Sequence, residues 1–581
     1  MKTKFVHMIW ALALALAIYF IIIAIKEKPE GDTLIVQLPP ASISSMKCTV
    51  AKFMLNNVDT TRQIAPLFEN LGNHHFQIST KNNLAQTFFD QGLKLAYAFN
   101  HAEAHRSFME AVRLDPRSAM AYWGQAYVLG PNINDPFPDD DRKTKSYEAI
   151  MKAKNLMGTS SPLEKALIEA MSHRYSADLS ADISGLNRAY MTAMAEVAKK
   201  FPRDAEVQTL YAEAVMNTMP WNYWDKNGDP NPNTIMGKTA LENAMQANPD
   251  HPGAHHYYIH MMELPKPDLA VPSADKLGAL MPAAGHLVHM PSHIYIRVGR
   301  YLDAVNSNRT AILADEDYIS QCYSQGMYPL VYYPHNLHFL WSSASLLGDS
   351  KTAIDAAKKT AEKVPIGEMA GLHFLQDFAS TPLLAFTRFG KWNEILTAPY
   401  PGDDYPHLKL IWHYARGIAF VRKDNLKEAK EELDALNKLQ NDPALESIMG
   451  NFNNSSSIIA KVAHEVVAGE IAAAEGEYEK AIAHLNMAVN FEDDLVYSEP
   501  SAWHIPVRQT LGAVFLKSKK YSDAELCFKE DLKELRQNGW SLMGLYQSLI
   551  AQDKLQEATE IKKEFDAAWE YADLEINNSI L

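Results

Sequence analysis

The sequence predicts an all-α solenoid of stacked helix pairs, preceded by one apolar segment at its N-terminus. Small and aromatic residues recur at helix-pair spacings from Phe88 onward, and Met8–Ile25 runs for 18 residues without a charge. Sustained apolar–polar alternation between turn dipeptides, which strands require, is nearly absent, so helices are left as the building material.

A chain of 581 residues would ordinarily divide into about four globular domains, unless one continuous array replaces them. Hydrophobic residues at 47% and charged residues at 22% supply enough apolar material for an extended core and argue against global disorder. Acidic residues outnumber basic ones by 70 to 55, and a net charge of -15 repels a phosphate backbone, so nucleic acid is not an expected partner. Cys48, Cys322 and Cys527 allow at most one intramolecular disulfide. Without a CxxC pair there is neither a thioredoxin-type motif nor a cysteine-rich zinc site.

At 1.5 Å per residue Met8–Ile25 would span about 27 Å as a helix, close to the thickness of a bilayer core. Lys2 and Lys4 precede it, and the positive-inside rule keeps that short end cytoplasmic. Residues 1–30 therefore read as a signal anchor, a transmembrane helix that leaves the bulk extracytoplasmic, in a periplasm or at a cell surface. The competing reading is a cleaved signal peptide and a secreted protein. Its apolar stretch is usually shorter, and IIIAIKEKPEGD offers no good A-x-A-like site. Residues 31–80 read as a tether and lead-in, punctuated by QLPPASISS.

The first repeat unit is FFDQGLKLAYAFNHAEAHRSFMEAVRLDP, with Gly92, Ala104, Phe108, Ala111 and Pro116 at its key positions. Two antiparallel helices approach closely only where Gly or Ala replaces a bulky side chain, and the proline ends the second helix. Gly299 with Tyr301, Ala304 and Ala311 repeats the pattern, as do Gly348 with Ala353, Gly476 with Tyr478, Ala481 and Leu485, and Gly512 with Tyr521, Ala524 and Phe528. Insertions such as GPNINDPFPDDDRK and WNYWDKNGDPNPN break the period. Ser161-Pro162-Leu163-Glu164 reads as a capping box with a first-turn proline.

These residues resemble the tetratricopeptide (TPR) repeat family. The blocks AMAYWGQAYVLGPNIN, HPGAHHYYIH, GHLVHMPSHIYIRVGRY and NGWSLMGLYQSL look like a bacterial group of such proteins of unassigned chemistry. The resemblance implies a right-handed superhelical solenoid of TPR-like helix pairs whose first helices line a concave groove. It divides the chain into N-terminal repeats at 81–250, histidine-rich central repeats at 251–360 and C-terminal repeats at 361–581.

Counting back 13, 10 and 6 from the loop glycine Gly299 gives His286, His289 and His293, and the same count from Gly348 gives His335, His338 and Ser342. In the unit after Pro249 the register places Gly253, His256 and His260 on the stripe, with Glu263 one turn on. Seven of these nine positions are histidine, where random placement of 21 histidines in 581 residues would put fewer than one. Histidines at i, i+4 share a helix face and can approach one metal, and helices packed about 10 Å apart can bring two such faces together. His256, His260, His286, His289, His293, His335 and His338 are thus candidate ligands for a divalent transition metal, zinc, copper or iron. Glu263 is a candidate ligand or proton acceptor. Two other readings stay open, in which the histidines hydrogen-bond a peptide in the groove or serve only as packed structural groups. Pro291 falls inside the proposed helix and should interrupt it.

Trp221, Tyr223 and Trp224 cluster in an insertion and, with Tyr257, either wall a small-molecule pocket or form the insertion's own small core. His101 and His105 read as cap and packing residues. Gly237-Lys238-Thr239 resembles the end of a phosphate loop, but Pro232 stands where the first glycine belongs, so no nucleotide is expected. Glu499, Trp503 and His504 lie far along the chain and could reach the groove only through the curvature of the array. The functional expectation is a membrane-anchored extracytoplasmic repeat protein with a histidine-rich metal site, acting on a small molecule if it is an enzyme. Its alternative is a metal-free scaffold for a protein or peptide partner.

Overall fold

Phe108 shows how these helix pairs are made. The helix His101–Leu114 lays this ring between Gly92 of Asn83–Tyr97 and Gly124 of Ala119–Leu129. A Cβ at those glycines would stand 2.7 and 2.4 Å from ring atoms, so any larger residue would force the helices apart. Phe528 repeats the device between Gly512 and Gly544, at 2.4 and 2.2 Å. Ala104 and Ala111 are fully buried in the same contact, and the helix ends at Leu114, before Asp115-Pro116.

The computed structural model describes residues 58, 60–321, 328–451 and 453–581; the expected anchor Met8–Ile25, with Cys48 and Cys322, lies outside them. Within them the chain is a succession of antiparallel helix neighbours. Asn83–Tyr97 packs on His101–Leu114, Thr234–Ala247 on Ala205–Met216, and Ser350–Glu362 on Tyr333–Leu347. Ser456–Ala474 pairs with Tyr478–Asp493, and Gly539–Ile550 with Leu555–Ala568. This is the all-α solenoid expected from the sequence. The strands found among the described residues are the short antiparallel pair Met449–Asn451 and Asn454–Ser455. No helix among them is long and apolar enough to cross a membrane.

Local signals place the helix ends. Ser161 and Glu164 form the expected reciprocal cap with Pro162 in the first turn. Gly299 and Gly348, the loop glycines from which the histidine register was counted, both take φ of +80°, a left-handed conformation that disfavours side chains. The second half of the lead-in is strapped onto the array. Glu110 accepts the Ile64 N–H, Gln91 donates to the Pro66 carbonyl, and Lys94 donates to the Gly72 carbonyl.

Buried apolar residues form two large clusters, one running from Ala65 to Tyr332 and one from Ile296 to Ile576. The later repeats return to the central ones. Trp540 Nε1 donates to the Ser345 carbonyl at 3.0 Å, Arg536 pairs with Asp268 at 2.8 Å, and Asp573 accepts the Ser350 and Lys351 N–H groups at 2.8 and 3.0 Å.

Candidate metal centre

Three stretches of chain carry the histidines. Pro252–Met262 starts at a proline after the cap residue His251, and every residue in it is buried. A helix buried on all faces has no solvent side on which to place its polar groups, so His256 and His260 must find partners inside the protein. Pro291 breaks the next stretch into Gly285–His289 and Pro291–Arg297, as expected, because proline lacks the N–H that would continue the ladder. The carbonyl of His289 is taken up instead by Ser292 Oγ at 2.7 Å. Tyr333–Leu347 follows a π-helical turn at Tyr328–Tyr332 and carries His335 and His338.

Six of the seven candidate histidines converge in two groups. The coordinating atoms of His256, His260 and His286 lie within 4.8 Å of one another, and so do those of His289, His293 and His335. His256, His260, His286, His289 and His293 expose between 0% and 4% of their surface, and His335 is less deeply buried. His256 Nδ1 donates to the Tyr97 carbonyl at 2.6 Å and His289 Nδ1 to Asn308 Oδ1 at 2.7 Å, while His293 Nδ1 forms ion-pair contacts with Glu263 at 2.9 Å and Glu499 at 3.1 Å that lack hydrogen-bond geometry. The two hydrogen bonds fix the rings of His256 and His289 and point their Nε2 atoms into the cluster, the way outer-shell acceptors orient metal-ligating histidines. His256 Nε2 has no hydrogen-bond partner, and neither ring nitrogen of His260 or His286 has one. His289 Nε2 and His293 Nε2 face each other at 2.9 Å.

Aromatic rings wall the centre. Phe99 stacks on His260 and His286, Tyr332 meets His286 edge-on, and Phe339 contacts His289, His293 and His335. Burial, reinforced by neighbouring imidazoles, holds His256, His286, His289 and His335 well below the ordinary histidine range, so their lone pairs are available near neutral pH. Burial alone would lower His293 too, but the Glu263 and Glu499 carboxylates outweigh it and raise this group to about 9. Burial pushes Glu263 upward, and His293 and His260 together reverse this and hold it ionised. The ring pair is self-consistent as an imidazolium giving one proton to a neutral neighbour, and a cation can replace that proton.

His338 is not part of the cluster. Its Nε2 meets His504 Nε2 at 3.3 Å and its ring stacks on Trp341, because Tyr333–Leu347 presents His335 and His338 to different neighbours. The stripe is also not an open groove wall as the sequence suggested, since its side chains are covered by aromatic rings and by the 497–504 loop. Trp221 is 39% exposed and sets its ring edge-on to His260. Trp224 gives its Nε1–H to the Met261 carbonyl at 2.7 Å, and the Tyr223 carbonyl accepts the Asn231 N–H and the Thr234 hydroxyl. Tyr223 and Trp224 are thus the insertion's own core, while Trp221 covers the centre. Tyr257 packs against Tyr97 and Phe99. His101 meets the Asn132 side chain at 3.2 Å and His105 is buried.

Sequence reasoning missed three contributors. Glu499 enters from the other end of the array, and its partner Tyr497 bonds it from within the same loop. Asn308 holds His289 from the following helix, and Tyr328 takes the His286 N–H at 3.1 Å while donating to Asp315 at 2.7 Å. A separate trio, His74, Glu206 and His251, has metal-like spacing. There His251 Nδ1 accepts the Ala254 N–H, which leaves the proton on Nε2 for Glu206, and Tyr97 OH also bonds that carboxylate. His74 Nε2 lies 3.0 Å from the same carboxylate, and the trio ties the lead-in to the repeats.

No family model matches the chain, and no curated protein matches it. Solved structures similar to it include a human IFIT1 dimer with m7Gppp-AAAA, at 13% identity over 84% of this chain and 91% of that one, with a TM-score of 0.31. Yeast Tom70 matches at 13% identity over 83% and 90%, with a TM-score of 0.28. The TPR domain of P58(IPK) matches at 12% identity over 81% and 99%, with a TM-score of 0.20. Likenesses this distant carry no part of the argument about function, which rests on the chain's own residues.

Proposed function

We propose that this protein is a divalent transition-metal protein, its metal held by the buried histidines of the central repeats. The observation that carries the reading is the pinning of His256 and His289 through Nδ1, beside His260 and His286, whose ring nitrogens have no hydrogen-bond partner. Buried polar atoms without hydrogen bonds cost roughly 1–3 kcal/mol each, and a cation among the ring nitrogens removes that cost. Imidazole nitrogens favour zinc, copper or iron over calcium or magnesium. The 2.9 Å between His289 Nε2 and His293 Nε2 suits two nitrogens each about 2.0–2.1 Å from one ion. A peptide in an open groove draws no support from these histidines, because their side chains are covered.

The test is metal content by mass spectrometry on full-length protein prepared without a histidine tag, beside the double variant His256→Ala/His289→Ala. Near-stoichiometric metal that disappears in the double variant is the expected result, and metal-free protein after reconstitution would sink the reading. We place the protein at a membrane through Met8–Ile25, with the repeats outside the cytoplasm. Cell fractionation should find the full chain with membranes, and deletion of residues 1–30 should release it; a full chain in the soluble fraction would count against the anchor.

A further inference from the structure

The histidines divide in a way that a single ion does not explain. His256 and His260 come from Pro252–Met262 and meet His286, whereas His289, His293 and His335 come from three different elements further along. Nitrogens about 2.0–2.1 Å from one ion lie at most about 4.2 Å from each other, so each triad, with its atoms within 4.8 Å, needs only small adjustment to enclose an ion. The two triads adjoin, with ring centroids 5.6 Å apart for His260 and His293 and 5.8 Å apart for His286 and His289. Glu263 lies between them, its Oε2 2.9 Å from His293 Nδ1 and 3.7 Å from His260 Nδ1. Two of the six rings, His256 in one triad and His289 in the other, are fixed by hydrogen bonds to oxygen acceptors.

We infer that the cluster is a paired centre for two transition-metal ions, one held by His256, His260 and His286 and the other by His289, His293 and His335. The inference rests on the metal reading proposed above and deepens it. Three imidazoles leave each ion short of a full coordination shell, so each has room for a further ligand that adjoining ions could share. Glu263, with Glu499 behind it, supplies anionic charge beside a pair of ions that neutral imidazoles do not balance. Phe99, Tyr332 and Phe339 close the space around the rings, so the shared ligand is a small oxygen donor such as hydroxide rather than a bulky group.

A rival arrangement is built into the same residues. His260, Glu263 and His293 also bring their coordinating atoms within 4.8 Å, and one ion there would sit between the triads in place of the pair. The two arrangements differ in stoichiometry and in which residue matters.

The experiment is equilibrium dialysis of the full-length protein against zinc, and separately against cobalt, with His286→Leu, His335→Leu and Glu263→Gln as variants. His286→Leu removes an imidazole that makes no hydrogen bond, so the fold should survive, and circular dichroism checks it. Two ions per chain in the parent, one in each histidine variant and none in the double histidine variant is the expected result. One ion per chain in the parent would overturn the pairing, whatever the variants do. A single ion kept by both histidine variants and lost in Glu263→Gln would assign it to the rival trio. No bound metal at all would overturn the underlying metal reading as well, and so separates the two failures.

Discussion

His289 reaches the cluster through Nε2 only because Asn308 takes the proton on its other nitrogen, at 2.7 Å. Asn308 is fully buried and also donates to the Ala304 carbonyl, so its amide orientation is fixed. Replacing it with leucine keeps the volume and removes the acceptor. Asn308→Leu should weaken zinc binding by about 10–100-fold with little change in the secondary structure; unchanged affinity in a competition titration would mean that His289 needs no such support. At this scale the sequence was informative where a helical register applied. Counting from Gly299 and Gly348 found His286, His289, His293 and His335, since a loop glycine in a left-handed turn fixes the phase of the helix before it, and carrying the register into the unit after Pro249 added His256 and His260. The same count wrongly included His338, because the register gives a face of one helix and not the neighbour that face meets.

The helix pair depends on a single ring between two glycines, and one side of that contact was readable before any coordinates. Gly92, Ala104, Phe108 and Ala111 share a spacing that makes sense only as a close contact, and the contact is there. Gly124 went unnoticed as part of it, although its block had been singled out. Phe108→Ala should cost about 3–5 kcal/mol of stability through the cavity it leaves between three helices. A chemical-denaturation midpoint that does not move would show that the helices close over the gap. The break at Pro291 was also legible, since a missing N–H is a property of the residue. The stripe's burial was not, because composition on one helix cannot report how many other helices cover it.

Contacts between distant repeats were the least legible. Trp569 packs against Gly348 and Gly539, where a Cβ would stand 2.7 and 2.0 Å from its ring, and Asp573 caps the Ser350 and Lys351 amides. Nothing in the local pattern at Gly348 anticipates a tryptophan some two hundred positions later. Trp569→Ala should lower the melting temperature and speed tryptic cleavage after Lys351; equal cleavage rates would show that this joint does not hold the central repeats. Glu499 belongs to the same class. Its distance along the chain left curvature of the array as its one route to the groove, and it lies 3.1 Å from His293, because the later repeats fold back on the earlier ones.

That fold-back carries a consequence for biogenesis. A ribosome adds about 5–20 residues each second, and domains generally fold N-terminal parts first. His256 to His335 therefore emerge on the order of 10 s or more before Glu499 and the 497–504 loop that covers them. For that interval the nascent chain displays a cluster of imidazoles without its cover, open to whichever ion is most abundant nearby. On the metal reading proposed above, which metal the finished protein carries is then decided partly by where the chain is while its later repeats are still being made.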